Sequence, residues 1–291
     1  MKKTIKLILS AWCLAACGGT VPDAGSDIDT GGWTLFHVDI ESLGLGSSVL
    51  EGQWEDGARI GVFGSEQGDN AEFFMKKADA GLQAATFYGT VVKGSPVVAY
   101  FPFESGLALE DGALPCDLAG IQAYCGPEAS VAEHFLSYTP RSFAVADGDG
   151  VLHFRYPMGL LEVLFTFESA VDVTAMTLSS AGGLSGRLLV HADGRVLPGP
   201  VSRTSVSLDF GGASVSTKAA DGSYNGFVFV LPPASYGAGD LVLDVETTAD
   251  PLHVVLPAVE VKRVEGTAFS ASAVHVGAGL PGYGTTPGIL E

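Results

Sequence analysis

The sequence predicts an all-β protein, two β-sandwich domains in tandem behind a leader and a polar spacer. Three observations lead there. Charged residues are sparse at 16% and Gly is abundant, 39 of 291 residues. Aromatic and β-branched residues come in short bursts parted by Gly, Pro, Asn and Asp, the pattern of short strands and turns. No stretch carries a helical period of useful length. The length suits one large or two ordinary domains with a real core.

The first element is the leader, residues 1–16. Lys2, Lys3 and Lys6 precede an apolar run broken only by Ser10, and small residues follow at Ala15 and Ala16. This is the layout of a secretory signal. A retained anchor helix is disfavoured, because crossing a bilayer takes about 20 apolar residues. Leu14-Ala15-Ala16-Cys17 resembles a bacterial lipobox, which implies cleavage before Cys17 and acylation of its thiol. Two or three acyl chains, at about 0.8 kcal/mol per buried methylene, hold a protein on a membrane essentially permanently. Residues 17–32 are rich in Gly and Thr, with Asp23, Asp27 and Asp29, and predict a flexible spacer. Acidic residues just after a lipidated Cys resemble a surface-export signal of Bacteroidetes lipoproteins; an ordinary polar linker fits equally well.

The first domain is expected over residues 33–148. Phe36, Val38 and Ile40 alternate with His37, Asp39 and Glu41, the mark of a half-buried strand. Residues 42–52 read as a loop. Trp54 then leads into Ile60, Val62 and Phe63, followed by Phe73 and Phe74, by residues 85–92, and by Val97 to Phe101, which Pro102 stops. Residues 111–130 read as loop, and a strand resumes at Phe143. Asp147-Gly148-Asp149-Gly150 is a turn and the expected boundary. It lacks the third acidic position and the closing Glu of a calcium loop.

The second domain is expected over 149–276. Leu161, Val163, Phe165 and Phe167 alternate with a second set that includes Leu164, so this strand is apolar on nearly both faces and belongs in the centre of a sheet. Further strands are expected at 174–178, 186–191, 206–210, 213–217, 227–231, 241–247, 253–256 and 266–276. The tail, 277–291, has Gly and Pro at short intervals and predicts extended or mobile chain.

Formal net charge is −18, and −21 once the three leader lysines are gone. Such a surface repels phosphate backbones and excludes nucleic acid as a natural partner. Solubility explains the acidity more simply than cation binding does. Cys13 leaves with the leader and Cys17 takes lipid, so Cys116 and Cys125 remain. In an oxidising compartment a disulfide across their short loop is expected; the alternative is two separate buried thiols. The six histidines show no ligand spacing, so neither a metal nor any other cofactor is expected. Gly183-Leu184-Ser185-Gly186 is followed by Arg187 where a nucleophile elbow needs Gly, and there is no phosphate-cradling loop. With no catalytic constellation in view, the chain reads as a non-enzyme.

A family resemblance enters through the order of several motifs. Gln53-Trp54-Glu55-Asp56-Gly57-Ala58-Arg59-Ile60-Gly61-Val62-Phe63, Asn70 before Phe73-Phe74, and Ala99-Tyr100-Phe101-Pro102-Phe103 resemble the fimbrillin-like proteins of Bacteroidales, the type V pilins. Leu114-Pro115 with Gln122, Leu160-Leu161-Glu162-Val163, and Val264-Glu265-Gly266-Thr267-Ala268-Phe269 continue the likeness. It implies two transthyretin-like sandwiches in an outer-membrane-tethered subunit of a surface fimbrium. Partners would be other fimbrial subunits, joined by strand addition, and a host or bacterial surface ligand. In some members an Arg-directed protease removes the first strand. Here residues 42–53 hold neither Arg nor Lys, and the first Arg, Arg59, abuts a core strand. The resemblance therefore points to an uncleaved anchor, accessory or tip subunit rather than a processed shaft pilin. The rival reading is a glycan-binding surface lipoprotein with Trp33, Trp54 or Tyr283 as sugar platforms.

Overall fold

The computed structural model describes residues 33–277 except 46–47, 65–66, 91, 93, 95–97, 127–130, 140, 146–150, 168, 220 and 267–270, and also describes Thr4–Lys6. Strands dominate, as the all-β class requires, joined by one α-helix, Val131–Tyr138, and a 3-10 turn, Lys77–Asp79, among the described residues. Cys17, the expected lipidation site, lies outside the described residues, as do most of the expected leader, the expected spacer, residues 147–150 and residues 278–291.

The chain forms two compact units. One comprises Met1–Leu109, Pro140–Tyr156 and Glu265–Ala268; the other comprises Glu110–Thr139, Pro157–Val264 and Phe269–Glu291. The units are interleaved, unlike the expected contiguous domains meeting at residue 148. The cause is long-range pairing. Strand Val151–Phe154 runs parallel to Trp33–Ile40, with Leu152 opposite Val38, and this holds it in the first unit.

The first unit is a seven-stranded sheet in the order Ser142–Val145, Val98–Phe101, Arg59–Gly64, Gln67–Met75, Ala84–Thr90, Trp33–Ile40, Val151–Phe154. Its ends meet. Phe143 N donates to Arg155 O at 2.9 Å and Arg155 N donates to Phe143 O at 2.8 Å, which closes the sheet on itself and removes its edges at that point. The predicted alternation is seen: Val38 and Ile40 are buried in the interior while His37 faces solvent. Trp54 fills the centre, its ring edge-on to Phe87, Phe101 and Phe154 at 4.9, 5.2 and 5.4 Å. Its indole N–H donates to Gln83 O at 3.0 Å, so the ring is buried with its polar group satisfied. Residues 42–52, expected as loop, contain a hairpin of Leu43–Leu45 and Ser48–Glu51, and Thr4–Lys6 runs parallel to its second strand.

In the second unit two sheets share one core. The larger has the order Ile121–Ala123, Ser205–Asp209, Asp172–Ser180, Leu241–Thr247, Leu252–Val255; the smaller has Gly226–Leu231, Gly159–Phe165, Ser272–Val276. Gly159–Phe165 is central, as its two apolar faces predicted. Leu161, Val163, Phe165, Met176, Phe227, Phe229 and Leu243 meet between the sheets. A third sheet joins Val196–Arg203, Ser185–Val190 and Leu114–Leu118.

Two further segments depart from the sequence reading. Residues 111–130 are not simply loop, since they supply Leu114–Leu118 and Ile121–Ala123. Val196–Arg203 is a strand despite Pro198 and Pro200; among the described residues it pairs only with Ser185–Val190, and an edge strand tolerates residues that have no N–H to donate.

Candidate strand-exchange site

The candidate site is the place of strand Trp33–Ile40 within its sheet. The strand is paired on both sides. Trp33 to Asp39 run antiparallel to Thr90 to Ala84, and His37 to Ile40 run parallel to Val151 to Phe154. One face of it enters the core, where the Phe36 ring lies 5.3 Å from that of Phe73. On the other face Asp39 Oδ2 is 2.7 Å from His153 Nδ1, a pair placed by direct cross-strand register and half-open to solvent. His37, Asp39, Asp79 and Thr86 line a shallow pocket of about 230 Å³ beside this pair. Asp79 is engaged there, accepting from Thr86 N at 2.8 Å.

What such a strand can do follows from its two ladders. Were it withdrawn, the backbone donors and acceptors of Ala84–Thr90 and Val151–Phe154 would lose partners, and apolar positions beneath Phe36, Val38 and Ile40 would meet water. Only another extended segment, apolar at alternate positions, satisfies both demands.

The chain that leaves this strand is tied down. Gly52 N donates to Ser42 Oγ at 3.2 Å, and Gln83 Nε2 donates to Ile40 O at 3.1 Å. Arg59, the first Arg of the chain, opens strand Arg59–Gly64. Its guanidinium is 2.7 Å from Glu72 and lies over the Phe103 ring, 5.9 Å from the centroid, while its carbonyl accepts from Phe103 N at 2.9 Å. A protease that needs this peptide bond extended in its cleft would have to unpick the sheet.

The disulfide expected between Cys116 and Cys125 is not formed; the two are separate buried thiols. Their strands explain it. Cys116 belongs to Leu114–Leu118, which pairs with Ser185–Val190, whereas Cys125 follows Ile121–Ala123, which pairs with Ser205–Asp209 in another sheet. Burial pushes the Cys125 thiol up, and the Glu133 carboxylate adds to the shift. Among the described residues no group of three or more His, Cys, Asp or Glu is placed to hold a metal ion. None of the described helices is long and apolar enough to cross a membrane. Of the proposed sugar platforms, Trp54 is core and only 1% exposed; the side chains of Trp33 and Tyr283 lie outside what the structure describes.

In the sequence Gln122 stands out only as part of a motif. It is fully buried and binds the backbone of Val230 twice, Nε2 to Val230 O and Val230 N to Oε1, each at 2.9 Å. Its one visible signal was an amide between Ile121 and Ala123.

No family model and no curated protein matches the chain. Among solved structures, a candidate cell adhesion protein from Bacteroides ovatus is similar over 84% of this chain and 92% of its own, with 13% identity and a TM-score of 0.47. The tip fimbrial protein Mfa3 from Porphyromonas gingivalis, truncated at its C-terminus, is similar over 77% and 82%, with 12% identity and a TM-score of 0.38. A fimbrial assembly protein from Parabacteroides distasonis is similar over 84% and 90%, with 9% identity and a TM-score of 0.38.

Proposed function

We propose that this chain is a subunit of a surface fimbrium, held at the outer membrane by lipid on Cys17, which joins neighbouring subunits by strand addition and keeps its own first strand. The observation that carries the reading is the double pairing of Trp33–Ile40. A strand held on both sides leaves, when absent, a slot shaped for another strand; when retained, it closes the subunit to any donor at that place. Retention is supported by the lack of Arg and Lys in residues 42–53 and by the bonds of Arg59 within its sheet. A subunit whose slot stays filled ends a chain of donors, which suits an anchor or an accessory or tip position rather than the shaft. The motif order from Gln53 to Phe103 supports the family to which this role belongs.

Electron microscopy of surface fimbriae with and without this protein tests the reading. Shed or overlong fibres identify an anchor, and normal fibres with poor adhesion identify a tip. Absent fibres make it a shaft subunit, and unchanged fibres with unchanged adhesion contradict a fimbrial role.

A further inference from the structure

In the second unit, Gly226–Leu231 forms the outer strand of its three-stranded sheet, paired on one side to Gly159–Phe165. Its sequence, Gly-Phe-Val-Phe-Val-Leu, carries no charge and no Pro, and Phe227 to Leu231 are at most 5% exposed. An uncharged run of β-forming residues on a sheet edge is the segment type that pairs with a copy of itself. Among the described residues no strand pairs with the outward side of this edge at Val228 and Val230. Their outward backbone groups meet side chains.

Val230 N and O both bind the Gln122 amide, which takes the place of one peptide unit in the missing ladder. Val228 O accepts from the His134 ring, on helix Val131–Tyr138. One turn further along that helix, Tyr138 stacks edge-on against His134 at 5.1 Å, and its hydroxyl oxygen accepts from Ala123 N at 2.5 Å. Gln122 projects from the edge strand of the larger sheet, so these three side chains seal the seam between the two sheets of the unit. A short polar seal made of side chains binds Val228 O and both backbone groups of Val230 without offering a continuous strand to extend.

We propose that Gln122, His134 and Tyr138 are a guard over the Gly226–Leu231 edge, and that this edge, once bared, takes the same strand of a second copy of the chain. The occupant follows from symmetry and sequence. Two identical edges meet antiparallel about a two-fold axis, where Val228 and Val230 of each exchange backbone bonds with the other. The partner strand must be uncharged and apolar on both faces, and Gly226–Leu231 meets that demand itself. The net charge of −18 opposes the approach of a second copy, so pairing at a bared edge strengthens with added salt.

The test compares the whole chain with its Gln122→Ala/His134→Leu variant by light scattering on a sizing column, with near-UV circular dichroism as the control for folding. Expected is self-association of the variant at a concentration about tenfold or more below that of the parent, the size that loss of one or two net hydrogen bonds gives. Expected too are slowed hydrogen exchange at the Val228 and Val230 amides in the associated form and capture of a synthetic Gly226–Leu231 peptide by the variant alone. Should that variant fail to fold, Gln122→Glu keeps the shape, removes the donor to Val230 O and carries the same expectations. A folded variant that stays monomeric and ignores the peptide overturns the proposal. So does an associated form in which those two amides exchange as fast as in the monomer.

Discussion

Tyr100 lies across the bare Cα of Gly61, so closely that a methyl group on residue 61 would stand 2.0 Å from Tyr100 Cε1 and 2.4 Å from Cζ. The two residues face each other across neighbouring strands. The Tyr100 hydroxyl is fixed as well: it accepts from Asn70 Nδ2 at 2.8 Å and donates to Glu104 O at 2.9 Å. The ring has nowhere to retreat. Gly61→Ala is therefore expected to cost about 3 kcal/mol, the upper part of the usual range for overpacking. Urea unfolding checks it, and a cost within about 0.5 kcal/mol of zero would show that the ring moves aside.

Trp54 is the next expected weak point. Phe87, Phe101 and Phe154 touch its ring, so a smaller side chain leaves a cavity walled by aromatic carbon. Trp54→Ala is expected to lose about 3–5 kcal/mol, and Trp54→Phe about 1–2 kcal/mol, through the lost ring volume and the lost indole bond to the Gln83 carbonyl, which keeps Ile40 N as a donor at 3.3 Å. Thermal melts of the two variants rank them, and the reverse order would contradict the packing.

Acid should loosen the second unit through His134. Burial holds its pKa below the ordinary 6.5, with the bond to the Val228 carbonyl opposing the shift, and its Nε2 has no partner among the described residues. A base with a depressed folded pKa binds fewer protons folded than unfolded. Its neutral form thus contributes fully above 6.5, and stability drains away as pH falls from there toward the folded pKa. Urea midpoints of the parent are expected to fall faster below pH 6.5 than those of His134→Asn. Parallel slopes would count against this assignment.

The thiols give a chemical check. A chain beginning at Gly18 is expected to show two thiols on denaturation without reductant, from Cys116 and Cys125, and negligible reaction of Cys125 with an alkylating agent while folded. No thiols after denaturation would restore the disulfide.

Much of this architecture is legible in the sequence where the pattern is local. The alternation from Phe36 to Glu41 marks a strand with one wet face, and the doubly apolar run at Leu161 to Phe165 marks a central one. What escapes is set by distant partners. Leu152 and Phe154 read as the start of a second domain because nothing near them in sequence tells that Val38 and Ile40 are their neighbours. Val196–Arg203 hides behind its prolines. Helix Val131–Tyr138 spans only about two turns, too short for its period to stand out. The spacing of Cys116 and Cys125 suggests a bridge, yet their strands turn into different sheets. Gln122 shows its purpose only when both sheets are in place.

Whether the first strand stays in its sheet is read from the mass of the mature N-terminus of chain recovered from the outer membrane. Expected is an acylated chain that begins at Cys17 and still carries Trp33 to Ile40. A first residue anywhere from Ser42 to Arg59 would contradict it.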